Sequence, residues 1–140
     1  MLDTNILVHY VRRSLLGQQI EARYSLLTIS VPPIISAVTE GEIRAFALKH
    51  GWGNSKVQQL EFLLTCFTRI PIEEPGIIDA YAAIDTYSDK MGISMGKNDC
   101  WIAATANLSN ARLITTDLDF EHLHGTFLQR DWIDPKVGIP

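Results

Sequence analysis

Cysteine is nearly absent. Only Cys66 and Cys100 carry a thiol in 140 residues. Two cysteines without C-x-x-C spacing make neither a disulfide framework nor a thiolate metal site. Both fall in apolar, helix-like runs, so two buried free thiols in a reducing cytoplasm are expected. Long hydrophobic runs are missing too, and no stretch approaches the ~20 apolar residues of a bilayer crossing. Met1-Leu2-Asp3 offers neither a basic region nor an apolar core, so no secretory leader is expected. Nothing repeats, and there is no low-complexity tract. An excess of positive charge is also lacking: 12 bases face 16 acids, for a net charge of −4. Taken alone, that balance speaks against nucleic acid as a partner. What is present is apolar mass, 46% of the residues, which excludes a disordered chain. The length fits one domain, residues 1–140.

Glycine and proline mark the joints between periodic segments. The patterns predict helices over Ile6–Arg13 and Gln18–Leu27, and one capped by Ser36 and running to His50. Further helices are expected from Asn54 or Ser55 to Thr65, over Glu74–Met91, and from an Asn98 cap to Leu108. Short apolar strands are expected at Leu2, Val31–Ile35, Thr68–Ile72, Arg112–Thr115 and Thr126–Gln129, with one helical turn at Glu121–His124. Short strands alternating with helices imply an α/β fold, a three-layer α/β/α sandwich on a central parallel sheet. In such sheets ligands bind outside the carboxyl ends of the strands.

Those strand ends are acidic. Asp3 follows the first strand, Asp117 follows Arg112–Thr115, Glu40 and Glu42 lie in the first turns after Val31–Ile35, and Asp99 opens a later helix. Each acid alone reads first as a turn, cap or solvated-face residue. Together at one rim they repel, which raises a pKa or calls for a cation. Oxygen donors without a His or Cys pattern suit Mg²⁺ or Mn²⁺ rather than Zn²⁺. His9, His50, His122 and His124 share no ligand spacing with the acids and read as packing or surface residues.

Glu40 and Glu42 stand on opposite helix faces, about 200° apart. Glu42 shares the apolar side of Val38, Ala45 and Phe46. Glu40 shares a side with Arg44, its i+4 partner, and reads as a surface ion pair.

Four segments in order resemble the signatures of the PIN domain family, and most nearly its VapC-type toxins. They are Leu2-Asp3-Thr4-Asn5-Ile6-Leu7, Ile35 to Ile43, Asn98-Asp99-Cys100-Trp101-Ile102 onward, and Leu113 to Phe120. The resemblance implies an α/β/α nuclease that holds Mg²⁺ or Mn²⁺ and cuts RNA as the toxin of a toxin–antitoxin pair. It places the catalytic, metal-binding acids at Asp3, Glu42, Asp99 and Asp117, with Asn5, Thr115 and Asp119 in support. Only two residues precede Asp3, fewer than is usual in the family, so either the central strand is unusually short or the native N-terminus lies upstream of Met1. With the four site acids set aside, the remaining charges balance, and RNA is no longer disfavoured. Arg12, Arg13, Arg44 and Lys97 flank the acidic segments and are candidate phosphate contacts. The alternative is a PIN-like module that binds RNA or protein without cutting, which the loss of a site acid would favour. Finally, Leu15, Leu16, Leu60, Phe62, Leu63, Leu64 and Phe67 exceed what one sheet face can cover. With the resemblance, that surplus implies a homodimer and a groove for an apolar helix of the antitoxin.

Overall fold

Helix starts in this chain are written largely by short polar side chains. The Asp3 carboxylate accepts from the Thr4 backbone N–H at 2.6 Å and opens α1, Thr4–Val11. Ser14 accepts from the Gly17 N–H at 3.1 Å and opens α2, Leu15–Tyr24. Ser36 accepts from the Thr39 N–H at 2.9 Å and opens α3, Ala37–Lys49. By contrast α4 (Asn54–Cys66), α5 (Ile77–Lys90) and α6 (Lys97–Leu108) each start after a glycine, with no side-chain cap. Asn98 therefore does not cap α6 as expected. It lies inside the helix, and its amide is free to reach elsewhere.

The computed structural model describes residues 1–136; the last four residues of the expected domain lie outside the described ones. Four strands have three residues each: β1 (Ile34–Ser36), β2 (Thr68–Ile70), β3 (Leu113–Thr115) and β4 (Arg130–Trp132). β1 pairs with β2 and β3 with β4, both in parallel. Met1–Asp3 joins the two pairs. Leu2 N–H donates to the Ile34 carbonyl at 2.8 Å, Asp3 N–H to Ile114 at 3.1 Å, and Ile114 N–H to Met1 at 2.9 Å. The spatial order is thus β2, β1, Met1–Leu2, β3, β4, with Met1–Leu2 in the central place. The last strand is misplaced in the sequence reading. Thr126–Phe127 is a turn, and pairing with β3 begins only at Arg130. Likewise Pro32 and Pro33 stay outside β1, because proline has no N–H to give the ladder.

Apolar clusters fill both faces of this sheet. On one side Ile6, Leu7, Ile20, Ile43, Leu60 and Phe67 pack from α1 to α4 and the end of α4. On the other Ile77, Ile84, Ile102, Phe120 and Leu123 pack from α5, α6 and the segment after β3. The expected three-layer arrangement follows from these two cores. Much of the predicted surplus is absorbed by the first one: Leu16, Leu60, Leu63 and Phe67 are buried and Leu64 is half-buried, while Leu15 and Phe62 remain 51% and 61% exposed. Cys100 is buried as expected, whereas Cys66 is only half-buried. No helix among the described residues is long and apolar enough to cross a membrane.

Candidate active site

The carboxyl ends of Met1–Leu2, β1 and β3 lie side by side, and each delivers a functional group there. Asp3 caps α1 and is 3% exposed. Its Oδ1 holds the Thr4 N–H, and its Oδ2 accepts the Thr115 hydroxyl at 2.6 Å. The same hydroxyl oxygen accepts the Asp117 N–H at 2.9 Å. Thr115 thereby ties the carboxylate of one strand end to the backbone of the next. Asn5 adds a second tie, its Oδ1 accepting the Thr116 N–H at 3.3 Å. Asp117 Oδ1 in turn accepts the Asp119 N–H at 2.9 Å, an Asx turn that leads the chain out of the sheet. Asp119 is exposed at that turn and does not cap the 3₁₀ turn at Glu121–Leu123.

Glu42 and Glu40 part as the helix geometry requires. Glu42 Oε2 accepts the Thr4 hydroxyl at 2.5 Å, and Oε1 accepts the Asn98 side-chain amide at 2.7 Å. Glu40 stands outside the cleft and binds Arg44 at 2.9 Å and Arg69 at 2.7 Å. Asp99, one residue after Asn98 on α6, completes the acidic end. A Cβ on Gly96 would stand 2.7 Å from Asp99 Oδ2, so the bare glycine leaves that carboxylate its space.

The four acids and Asn5 line one cleft of about 760 Å³. Burial, and then the charges of Asp3, Asp117, Glu42 and Asp119, push Asp99 up to about 7. Asp3 rises to about 6: burial raises it, the Thr115 and Thr4 hydrogen bonds oppose, and Glu42 and Asp117 add to the rise. Among the described residues no three His, Cys, Asp or Glu side chains already stand at metal-ligand spacing. Like charges favour such a spread, and Asp3, Glu42 and Asp117 are each held by polar neighbours of their own. In kind the donors suit a hard divalent cation: carboxylate oxygens after Met1–Leu2 and β3 and from α3 and α6, with hydroxyl and amide groups behind Asp3 and Glu42.

The candidate phosphate contacts fare differently from one another. Arg44 is held by Glu40 and Glu61, and Lys97 by Asp85 at 2.7 Å, so both are engaged in ion pairs. Arg13 lines a separate hollow between α1, α2 and α4 rather than the acidic cleft. Arg12 lies above the Phe46 ring. Thr4, Asn98, His9 and Lys49 line or support the cleft; the sequence alone assigns Asn98 to a helix cap and His9 to packing or the surface, and assigns Thr4 and Lys49 no role. The signal for His9 and Lys49 was present: they fall four residues after Asn5 and seven after Glu42, on the same helix faces.

Comparison with known proteins gives a consistent likeness. The model of the PIN domain family matches residues 1–125. VapBC-1 from nontypeable Haemophilus influenzae is 28% identical with a TM-score of 0.76, covering 94% of this chain and 96% of that one. A toxin–antitoxin complex from Klebsiella pneumoniae is 26% identical with a TM-score of 0.65, covering 85% and 88%. VapBC2 from Rickettsia felis, bound to a DNA fragment from their promoter, shares the fold at 21% identity, with a TM-score of 0.79 over 96% and 98%. No curated protein matches the sequence.

Proposed function

The chain belongs to the PIN domain family, and from that premise we propose that it is a Mg²⁺- or Mn²⁺-dependent endoribonuclease, the toxin of a toxin–antitoxin pair. The observation that carries this reading is the meeting of Asp3, Glu42, Asp99 and Asp117 in one cleft at the carboxyl edge of the sheet. A module that binds without cutting has no use for four mutually repelling acids, each kept clear or hydrogen-bonded in place.

When bound, a divalent cation supplies Lewis-acid activation of water and neutralises phosphate charge. The chain's own residues do the rest. Asp3, Glu42, Asp99 and Asp117 would hold the ion. Thr115 fixes Asp3 and the Asp117 backbone in one register, Thr4 and Asn98 aim the two oxygens of Glu42, and Asn5 steadies the Thr116 turn. Pre-set donors of this kind keep the reorganisation small as charge develops on the phosphate.

The antitoxin partner is supported by likeness to toxin–antitoxin complexes. It is also supported by the hollow of about 420 Å³ bordered by Tyr10, Val11, Leu27, Phe62 and Leu63, where Leu27 and Phe62 are 44% and 61% exposed. A homodimer and a cytoplasmic location complete the proposal. The deciding experiment incubates purified protein with RNA and Mn²⁺ or Mg²⁺, with and without EDTA. Cleavage that EDTA stops and that Asp99→Asn lacks supports the reading; equal cleavage by wild type and Asp99→Asn overturns it. Co-expression with the product of the adjacent gene tests the antitoxin, and sedimentation at micromolar concentration tests the dimer.

A further inference from the structure

The cleft does not end at its carboxylates. Two helix faces wall its far half: Asn5, Val8 and His9 on α1, and Glu42, Ala45, Phe46 and Lys49 on α3. Each set advances by three or four residues, so each is a single stripe along its helix. Arg12 is the next step of the α1 stripe, and its guanidinium lies 5.8 Å from the centre of the Phe46 ring. Seven residues of helix rise about 10 Å. The stripes therefore run from Asn5 and Glu42 at the acidic end to Arg12 and Lys49 at the other.

Charge inverts over that distance, with an apolar wall of Val8, Ala45 and Phe46 between. Arg12 and Lys49 are exposed, and among the described residues neither pairs with a carboxylate. Arg44, Arg69 and Lys97 nearby are all paired. Arg12 and Lys49 do sit at helix C-terminal ends, where a cation also favours the dipole. That accounts for a positive charge at each helix end, but not for their meeting beside one cleft, Lys49 in its lining and Arg12 one step beyond it over Phe46.

The sequence of acidic cradle, flat apolar wall and free cations matches a strand that alternates phosphate with base. An apolar partner helix would find no counterpart for its own side chains at the cationic end. We propose that Arg12 and Lys49 bind the phosphate next to the scissile one in single-stranded RNA, with the intervening nucleoside against Val8, Ala45 and Phe46. This rests on the ribonuclease reading and assigns that enzyme a substrate arm on one side of the cut.

The test uses Asp99→Asn protein, which keeps RNA intact, and the anisotropy of a short fluorescein-labelled RNA of random sequence across a salt series. Adding Lys49→Ala or Arg12→Ala should weaken binding and lower the slope of log affinity against log salt by about 0.7 each. Lys49→Arg should restore both, and Lys90→Ala, at the distant end of α5, should change neither. Unchanged affinity and slope in both variants overturn the arm, and if the wild type still cleaves RNA the ribonuclease reading stands. Unchanged RNA binding with loss of co-purification of the adjacent gene's product overturns it in favour of a protein seat. Absence of both cleavage by the wild type and RNA binding by Asp99→Asn overturns the underlying reading and the arm with it.

Discussion

Thr115 is fully buried and both donates to Asp3 and accepts from the Asp117 backbone. Valine has nearly its shape and neither capacity. Thr115→Val should therefore lower metal affinity or cleavage by about 10- to 100-fold, as loss of a group behind a ligand does. Urea titration should show about 1–3 kcal/mol of lost stability from the orphaned partners. Thr115→Ser should restore most of both. The acids themselves behave oppositely in metal-free protein. Asp99 is half-buried and crowded by like charges, so Asp99→Asn should raise the melting temperature in EDTA while abolishing cleavage. A melting temperature that falls in EDTA would show that repulsion at this site is not the dominant effect.

At the scale of the element, helix phase separates neighbours in sequence. Glu42→Gln should remove most of the cleavage, because Glu42 accepts from Thr4 and Asn98 inside the cleft. Glu40→Gln should leave cleavage near wild type and change stability by about 1 kcal/mol or less, since its ion pairs with Arg44 and Arg69 are partly solvated. RNA cleavage assays on both variants decide the matter. Gly17 supplies the second test. A Cβ there would stand 2.3 Å from the His9 carbonyl oxygen, backbone against backbone, because α2 crosses close to the end of α1. Gly17→Ala should cost about 1–3 kcal/mol, measured by denaturant unfolding, despite alanine being the better helix former. Sequence reading found these helices and the Ser36 cap of α3, but not the start of α6. Asn98 looked like a cap because Asn usually is one; the chain instead starts α6 at Gly96 and sends the Asn98 amide to Glu42. A local preference was overridden by a partner 56 residues away.

For the whole molecule, metal and folding should be linked. A cation that binds only the folded chain at about a hundred times its Kd adds about 2.7 kcal/mol, a melting shift of roughly 5–10 °C at this size. Mn²⁺ should therefore raise the melting temperature of the wild type, EDTA should reverse it, and Asp99→Asn should abolish it. The sequence alone determined the α/β class and the run of helices, because period and breakers are local signals repeated along the chain; the four acids were singled out by the family resemblance, and the fold brings them to one cleft. The sequence also separated Glu42 from Glu40, since helix phase depends only on spacing. Tertiary structure decided the rest. Met1–Leu2 shows no periodicity of its own and is read as part of the sheet only because β1 and β3 pair with it on either side. β4 began at Arg130 because pairing with Leu113 chose the register, not the apolar content of Thr126–Gln129. Leu60, Leu63 and Phe67 proved to be core rather than surplus, because what covers a side chain depends on how helices pack. Which cations are free to meet an anion was settled the same way: Arg44 and Lys97 found carboxylates on other elements, and Arg12 and Lys49 did not. Ion pairs between distant segments leave no mark in spacing, so only the folded chain tells an occupied charge from an available one.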